Sequence, residues 1–132
     1  MSRIKKKIGI IGLGYVGLPF LHLLSQKKID AYGFDLDVSK INSLKKNHSY
    51  ISDLKNKDIK IINKSKIFSM KNISQINQMD YIIFCLPTPL TSKNEPDISN
   101  ILKAFNSIKP HIKKNQTLIL ESTVYPGATR FI

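Results

Sequence analysis

The run Gly12-Leu-Gly14-Tyr-Val-Gly17 is a G-x-G-x-x-G set between an apolar β-branched segment and a helical pattern, the context in which such a run binds a dinucleotide. Gly12 permits a tight turn, Gly14 lets the backbone approach a pyrophosphate, and Gly17 allows a helix to pack closely on a strand. The N-terminus of that helix offers free N–H groups to the anion. Asp35 is the first acidic residue after the next strand-like segment, where the fingerprint expects a carboxylate for the adenine-ribose hydroxyls. The same carboxylate repels a 2′-phosphate, so the pattern predicts NAD rather than NADP. The competing reading is a glycine-rich turn beside an unrelated helix-capping Asp, which leaves four features in register unexplained.

Other reactive residue types point to less. Cys85 is the only cysteine, which excludes an internal disulfide and a cysteine-built zinc centre. It lies in an apolar run, where a neutral buried thiol is expected. His22, His48 and His111 form no triad or ligand pair, so neither a metal site nor a catalytic histidine is expected.

These residues need elements to position them. A buried parallel strand is expected over residues 6–11 and a helix over 16–26, where Val16, Phe20, Leu21, Leu23 and Leu24 recur at helical spacing. A second strand at 31–35 precedes Asp37 as N-cap of a helix carrying Val38, Ile41 and Leu44 on one face. Residues 47–66 are polar and weakly periodic, with a short helix expected near 52–57, then a strand near 66–69. Asn72 is expected to cap one or two helical turns. The run 80–85 reads as a buried strand that halts at Pro87 and Pro89. Asp97 is expected to cap a helix carrying Ile98, Ile101, Leu102, Phe105 and Ile108, with Pro110 as its latest end, and Thr117–Leu120 forms a fifth strand. Alternating strands and helices predict an α/β, doubly wound parallel sheet of order 3-2-1-4-5. From Pro126 the chain resembles the first turn of another helix. A single domain over 1–132 is therefore expected, incomplete at its C-terminal end and truncated before the final helix and strand.

Length and composition fit that reading. The 132 residues build one core, and 42% hydrophobic with 23% charged residues is the balance of a globule rather than a disordered chain. A net charge of +12 would suit nucleic acid, but 19 of the 21 basic residues are scattered lysines and no recognition motif is visible. The densest basic stretch, Lys45 to Lys71, reads as a solvated surface around a variable connection. No run approaches the roughly 18 apolar residues of a membrane helix, so a cytoplasmic location without membrane or nucleic-acid partners is expected.

The glycine loop, Phe84-Cys-Leu-Pro-Thr-Pro-Leu90, Glu95-Pro-Asp97 and Leu120-Glu-Ser-Thr-Val-Tyr-Pro-Gly127 together resemble the UDP-glucose/GDP-mannose dehydrogenase family over nearly the whole chain. Pro-Thr-Pro-Leu-Thr, Glu-Pro-Asp and Glu-Ser-Thr-x-Tyr-Pro-Gly are most similar to its bacterial branch acting on UDP-N-acetylglucosamine. The resemblance implies oxidation of a UDP sugar at C6 to the uronate by two hydride transfers to NAD, in surface-polysaccharide synthesis. It implies that Tyr15 and Val16 touch the pyrophosphate, that Asp35 and Lys40 contact the adenine ribose, and that Thr88 and Thr123 lie near the nicotinamide. The threonine matching Thr123 helps hold the hydrolytic water in the family. By residue type alone Thr88 also suits a turn between prolines, Thr123 a helix-entry cap, and Lys40 a solvated helix position. The family's nucleophilic cysteine belongs to a glycine-rich motif beyond residue 132. The UDP-sugar contacts, the oxyanion-stabilising lysine and asparagine, and most of any homodimer interface are likewise expected in the missing half. The chain alone is accordingly expected to be inactive. A stand-alone NAD-binding module without turnover is the alternative.

Overall fold

The computed structural model describes residues 5–132. Five strands, β1 (Lys7–Ile11), β2 (Asp30–Asp35), β3 (Ile67–Ser69), β4 (Tyr81–Phe84) and β5 (Thr117–Leu120), form one sheet. All four pairings are parallel and the order is β3-β2-β1-β4-β5, as the alternation of elements predicts. In the register, Ile10 stands beside Gly33 and Ile83, and Ile83 beside Ile119.

Successive side chains of a strand point to opposite faces, and here both faces are covered. Ile10 and Ile83 point into one cluster with Leu13, Leu18, Leu21 and Leu44, built from α1 (Gly17–Gln26) and α2 (Val38–Lys45). Ile11, Ile82 and Phe84 point into the other, against Met70, Ile73, Ile76, Ala104 and Ile108. The second face is supplied by a 3₁₀ segment, Met70–Gln78, and by α4 (Ser99–Ile108). Full burial of an aliphatic side chain contributes about 1.5–3 kcal/mol, so this two-sided core fixes the strand ends that carry the site.

Several local expectations change. Residues 47–66 are more than a solvated connection: Ile51, Leu54, Ile59 and Ile62 are buried in the first cluster despite the surrounding lysines. Their short helix is a single turn, α3 (Asn56–Ile59), displaced from 52–57. Ser69, not Asn72, caps the next segment; its hydroxyl accepts the Lys71 N–H, and Asn72 breaks the helical path with φ −109° and ψ 42°. The N-cap of α4 is Ile98, not Asp97: the helix begins at Ser99, and Asp97, one residue before the cap, accepts the Ser99 N–H at 2.9 Å. In α1 the buried stripe is Leu18, Leu21 and Leu24, while Val16 and Leu23 face solvent. Val38, expected beside Ile41 and Leu44, is also exposed. The chain past Pro126 forms a 3₁₀ turn, Ala128–Arg130.

Candidate functional site: a cleft at the carboxyl edge of the sheet

β1 ends in Gly12, whose N–H donates to Phe34 O on β2 at 2.8 Å and whose φ is +96°. A Cβ there would lie 2.6 Å from Cys85 O, because the loop is squeezed between the ends of β2 and β4. Gly17 opens α1 directly beneath; its missing Cβ would run into the Gly12 backbone carbonyl. Gly14 is different: nothing lies within 4 Å of the corresponding position. The three glycines thus divide into two that pack backbone on backbone and one that faces empty space. The N–H groups of Gly14, Tyr15 and Val16 have no acceptor among the described residues.

Asp35 ends β2 beside this loop and is only 8% exposed. Its Oδ2 accepts the Leu13 N–H and its Oδ1 the Asp37 N–H, each at 2.8 Å. The two bonds fix the carboxylate plane and leave further lone pairs free. Asp37 caps α2 by accepting from the Ser39 N–H at 2.8 Å, and α2 carries Lys40, whose Nζ sits 3.8 Å from Asp35 Oδ2. Lys40 is therefore not simply solvated: it lies between Asp35 and the ring of Tyr50, 5.8 Å from the ring centroid. The Tyr50 hydroxyl donates to Leu13 O at 2.6 Å. Burial, reinforced by Asp35 and Asp37, pushes that phenol well above its ordinary pKa and keeps it a donor.

Past the end of β4, Cys85 is buried; burial, with the nearby Glu121 carboxylate, raises its thiol pKa to about 11. Thr88 follows, and its hydroxyl donates to Thr123 O at 2.7 Å, tying the loops after β4 and β5 together. Ser122 adds a second tie, accepting the Leu86 N–H at 3.2 Å and donating to Leu86 O at 2.8 Å. Asn100 on α4 donates to Pro87 O at 3.2 Å. Thr88 therefore bridges two strand ends rather than serving a local turn. The 3₁₀ turn after Pro126 has Gly127, not Thr123, at its cap.

A cleft of about 580 Å³ runs across these ends. It is lined by every sequence-derived candidate except Gly17: Gly12, Gly14, Tyr15, Val16, Asp35, Lys40, Thr88 and Thr123. Gly17 acts beneath the loop. Sequence reasoning missed Tyr50, Ser122 and Asn100, which bind loop backbone; Ser122 lies inside a quoted motif, and a tyrosine in a lysine-rich stretch is the one available hint of the first. None of the histidines lines the cleft; His22 is buried on α1, and its Nε2 has no partner among the described residues. Among the described residues no group of three or more His, Cys, Asp or Glu could hold a metal ion, and no helix is long and apolar enough to cross a membrane.

A parallel sheet of this order, with a glycine loop after β1 and an acidic residue ending β2, defines a doubly wound dinucleotide-binding domain. Its cleft, with room at Gly14, unpaired loop N–H groups and a carboxylate at the neighbouring strand end, fits a dinucleotide. The chain belongs to the UDP-glucose/GDP-mannose dehydrogenase family, whose NAD binding domain matches residues 6–132. It is 36% identical over 124 residues to Protein CapL of Staphylococcus aureus, covering 94% of this chain and 28% of that protein. It is 34% identical to a UDP-N-acetyl-D-glucosamine 6-dehydrogenase of Pseudomonas aeruginosa, covering 93% of this chain and 28% of the relative. The solved UDP-N-acetyl-mannosamine dehydrogenase Cap5O from Staphylococcus aureus superposes with a TM-score of 0.77 at 27% identity, over 94% of this chain and 30% of that one. The UDP-D-ManNAc dehydrogenase from Pyrococcus horikoshii shares the fold at a TM-score of 0.81 and 24% identity, over 95% and 30% of the two chains. The chain thus spans less than a third of the length of these relatives.

Proposed function

We propose that this chain is the NAD-binding part of a cytoplasmic nucleotide-sugar 6-dehydrogenase, which oxidises UDP-N-acetylglucosamine or a related UDP sugar at C6 to the uronate for surface-polysaccharide synthesis. The reading rests chiefly on one observation: Gly14 and the nearly buried Asp35 flank a single cleft that continues to Thr88 and Thr123. NAD bound there supplies a hydride acceptor. Gly14, Tyr15 and Val16 present N–H groups to its pyrophosphate, and Asp35 accepts the adenine-ribose hydroxyls while Lys40 balances its charge. Thr88 and Thr123, tied to one another, border the nicotinamide end, and Thr123 matches the family position that helps hold the hydrolytic water. The sugar class follows the relatives, which include dehydrogenases named for UDP-N-acetyl-D-glucosamine and UDP-N-acetyl-D-mannosamine.

Residues 1–132 form the cofactor domain in this reading, and the sugar contacts lie in the rest of the enzyme. These residues alone hold NAD without turning over the sugar. Their only thiol, Cys85, is buried and protonated at neutral pH, whereas the covalent step needs an accessible thiolate and donors for the oxyanion.

Calorimetric titration with NAD and NADP tests the cofactor assignment. Asp35→Ala would release both the Leu13 and Asp37 N–H groups, whereas Asp35→Asn removes the charge and keeps one of the two acceptors. NAD should bind at least about tenfold more tightly than NADP, and Asp35→Asn should narrow that gap. Equal affinity for both cofactors in the native protein would remove the ribose assignment.

A further inference from the structure

The glycine loop carries its own weakness. A peptide preceding glycine can flip by about 180° at little cost, because glycine accepts both signs of φ. The Leu13–Gly14 peptide is of this kind, and its orientation decides whether the Gly14 N–H faces the cleft. In a trans peptide the carbonyl and the following N–H point in opposite directions. Whatever holds Leu13 O on one side therefore aims Gly14 N–H at the other.

Tyr50 holds it. Its hydroxyl donates to Leu13 O at 2.6 Å from outside the cleft, which Tyr50 does not line. On the other side of the same residue, Leu13 N–H donates to Asp35 Oδ2 at 2.8 Å, so both peptides flanking Leu13 are clamped. The Leu13 side chain is itself fully buried and cannot swing to follow a flipped backbone. The Tyr50 ring packs against the first core cluster and stands 5.8 Å from Lys40 Nζ, so the hydroxyl is delivered by a fixed ring.

We infer that Tyr50 is a positioning residue for the dinucleotide: its hydroxyl locks the Leu13–Gly14 peptide with the Gly14 N–H turned toward the pyrophosphate. This rests on the reading of the cleft as an NAD site. It assigns to the lysine-rich connection after α2 a part in cofactor affinity beyond filling the core. Tyr50 touches the loop from behind and makes no contact with the reacting groups.

Tyr50→Phe keeps the ring, its packing and its contact with Lys40, and removes only the donor. NAD affinity should fall about five- to tenfold, the equivalent of one lost hydrogen bond. Adenosine has no pyrophosphate and should bind Tyr50→Phe as it binds the native protein. A stability-matched control is Ile59→Val, which trims the same buried cluster away from the cleft and should leave both affinities unchanged. In a ¹⁵N-labelled sample, NAD should shift the Gly14 amide resonance less in Tyr50→Phe than in the native protein. Failure of the native protein to bind NAD would overturn the cofactor reading and this inference with it. Native NAD binding together with an unchanged affinity in Tyr50→Phe would overturn the inference alone, as would equal losses for NAD and adenosine or equal losses in Ile59→Val.

Discussion

Gly14 and Gly17 stand three residues apart in one motif, yet the structure gives them opposite responses to the same added methyl group. At Gly14 a new Cβ meets nothing within 4 Å, and the residue is not in the left-handed region, so Gly14→Ala adds no strain. By restricting the unfolded chain it should leave stability unchanged or raise it by about 0.4–1 kcal/mol. The methyl group nevertheless occupies the space into which the pyrophosphate would settle. Overpacking of that kind costs about 1–3 kcal/mol, roughly a 5- to 150-fold loss of NAD affinity. At Gly17 the same Cβ penetrates the Gly12 carbonyl group, lies 2.9 Å from Gly12 C and 3.2 Å from the Cys85 side chain. The first two obstacles are backbone held by the Gly12 N–H bond to Phe34 O, so relaxation requires the end of β1 to move. Gly17→Ala should therefore cost upwards of about 3 kcal/mol and roughly 10 °C of melting temperature. Thermal denaturation followed by circular dichroism, paired with NAD titration calorimetry, reads both outcomes. A Gly14→Ala protein with native NAD affinity would refute the placement of the pyrophosphate. A Gly17→Ala protein as stable as the native one would refute the close approach of helix and strand.

Two further outcomes concern the chemistry after β4. With its pKa raised to about 11, Cys85 is neutral at pH 8 and its thiolate fraction is roughly a hundredfold below that of an ordinary thiol. Alkylation by iodoacetamide should be correspondingly slow and should climb about tenfold per pH unit until the thiol ionises; a rate at pH 8 matching free cysteine would show the thiol exposed. The 132 residues alone, given saturating NAD and UDP-N-acetylglucosamine, should produce no NADH in an absorbance assay. Steady NADH production that Cys85→Ser abolishes would locate the nucleophile inside this chain and overturn the reading.

The strands and the glycine loop were legible because their signals are local. A β-branched run ending in glycine, and the apolar run ending before Pro87 and Pro89, each announce a buried parallel strand within a few residues. Right-handed crossovers then leave few strand orders, and the observed one follows. The segment from 47 to 66 was illegible because its buried residues do not share one period. Ile51, Leu54, Ile59 and Ile62 reach the core through turns and a one-turn helix, and lysines between them dilute any amphipathic stripe. The kink at Asn72 similarly hides a 3₁₀ segment that a capping rule reads one turn late.

Two of the three missed residues, Tyr50 and Ser122, share one property, sequence distance. The partners of Tyr50 and Ser122 lie 37 and 36 residues away, beyond the reach of any spacing rule. The G-x-G-x-x-G motif states where the backbone is able to bend, since only glycine tolerates φ +96° at Gly12 against Cys85 O. It does not state which of the permitted conformations the loop adopts. That choice is made by hydrogen bonds from outside the motif: Asp35 on the Leu13 N–H, Tyr50 on the Leu13 carbonyl, and Phe34 O on the Gly12 N–H. Permissiveness is thus encoded by the glycines and uniqueness by distant polar groups. A chain with the motif intact but Tyr50 replaced by Phe should accordingly keep its fold and lose cofactor affinity, a separation that a purely local account of the loop does not produce.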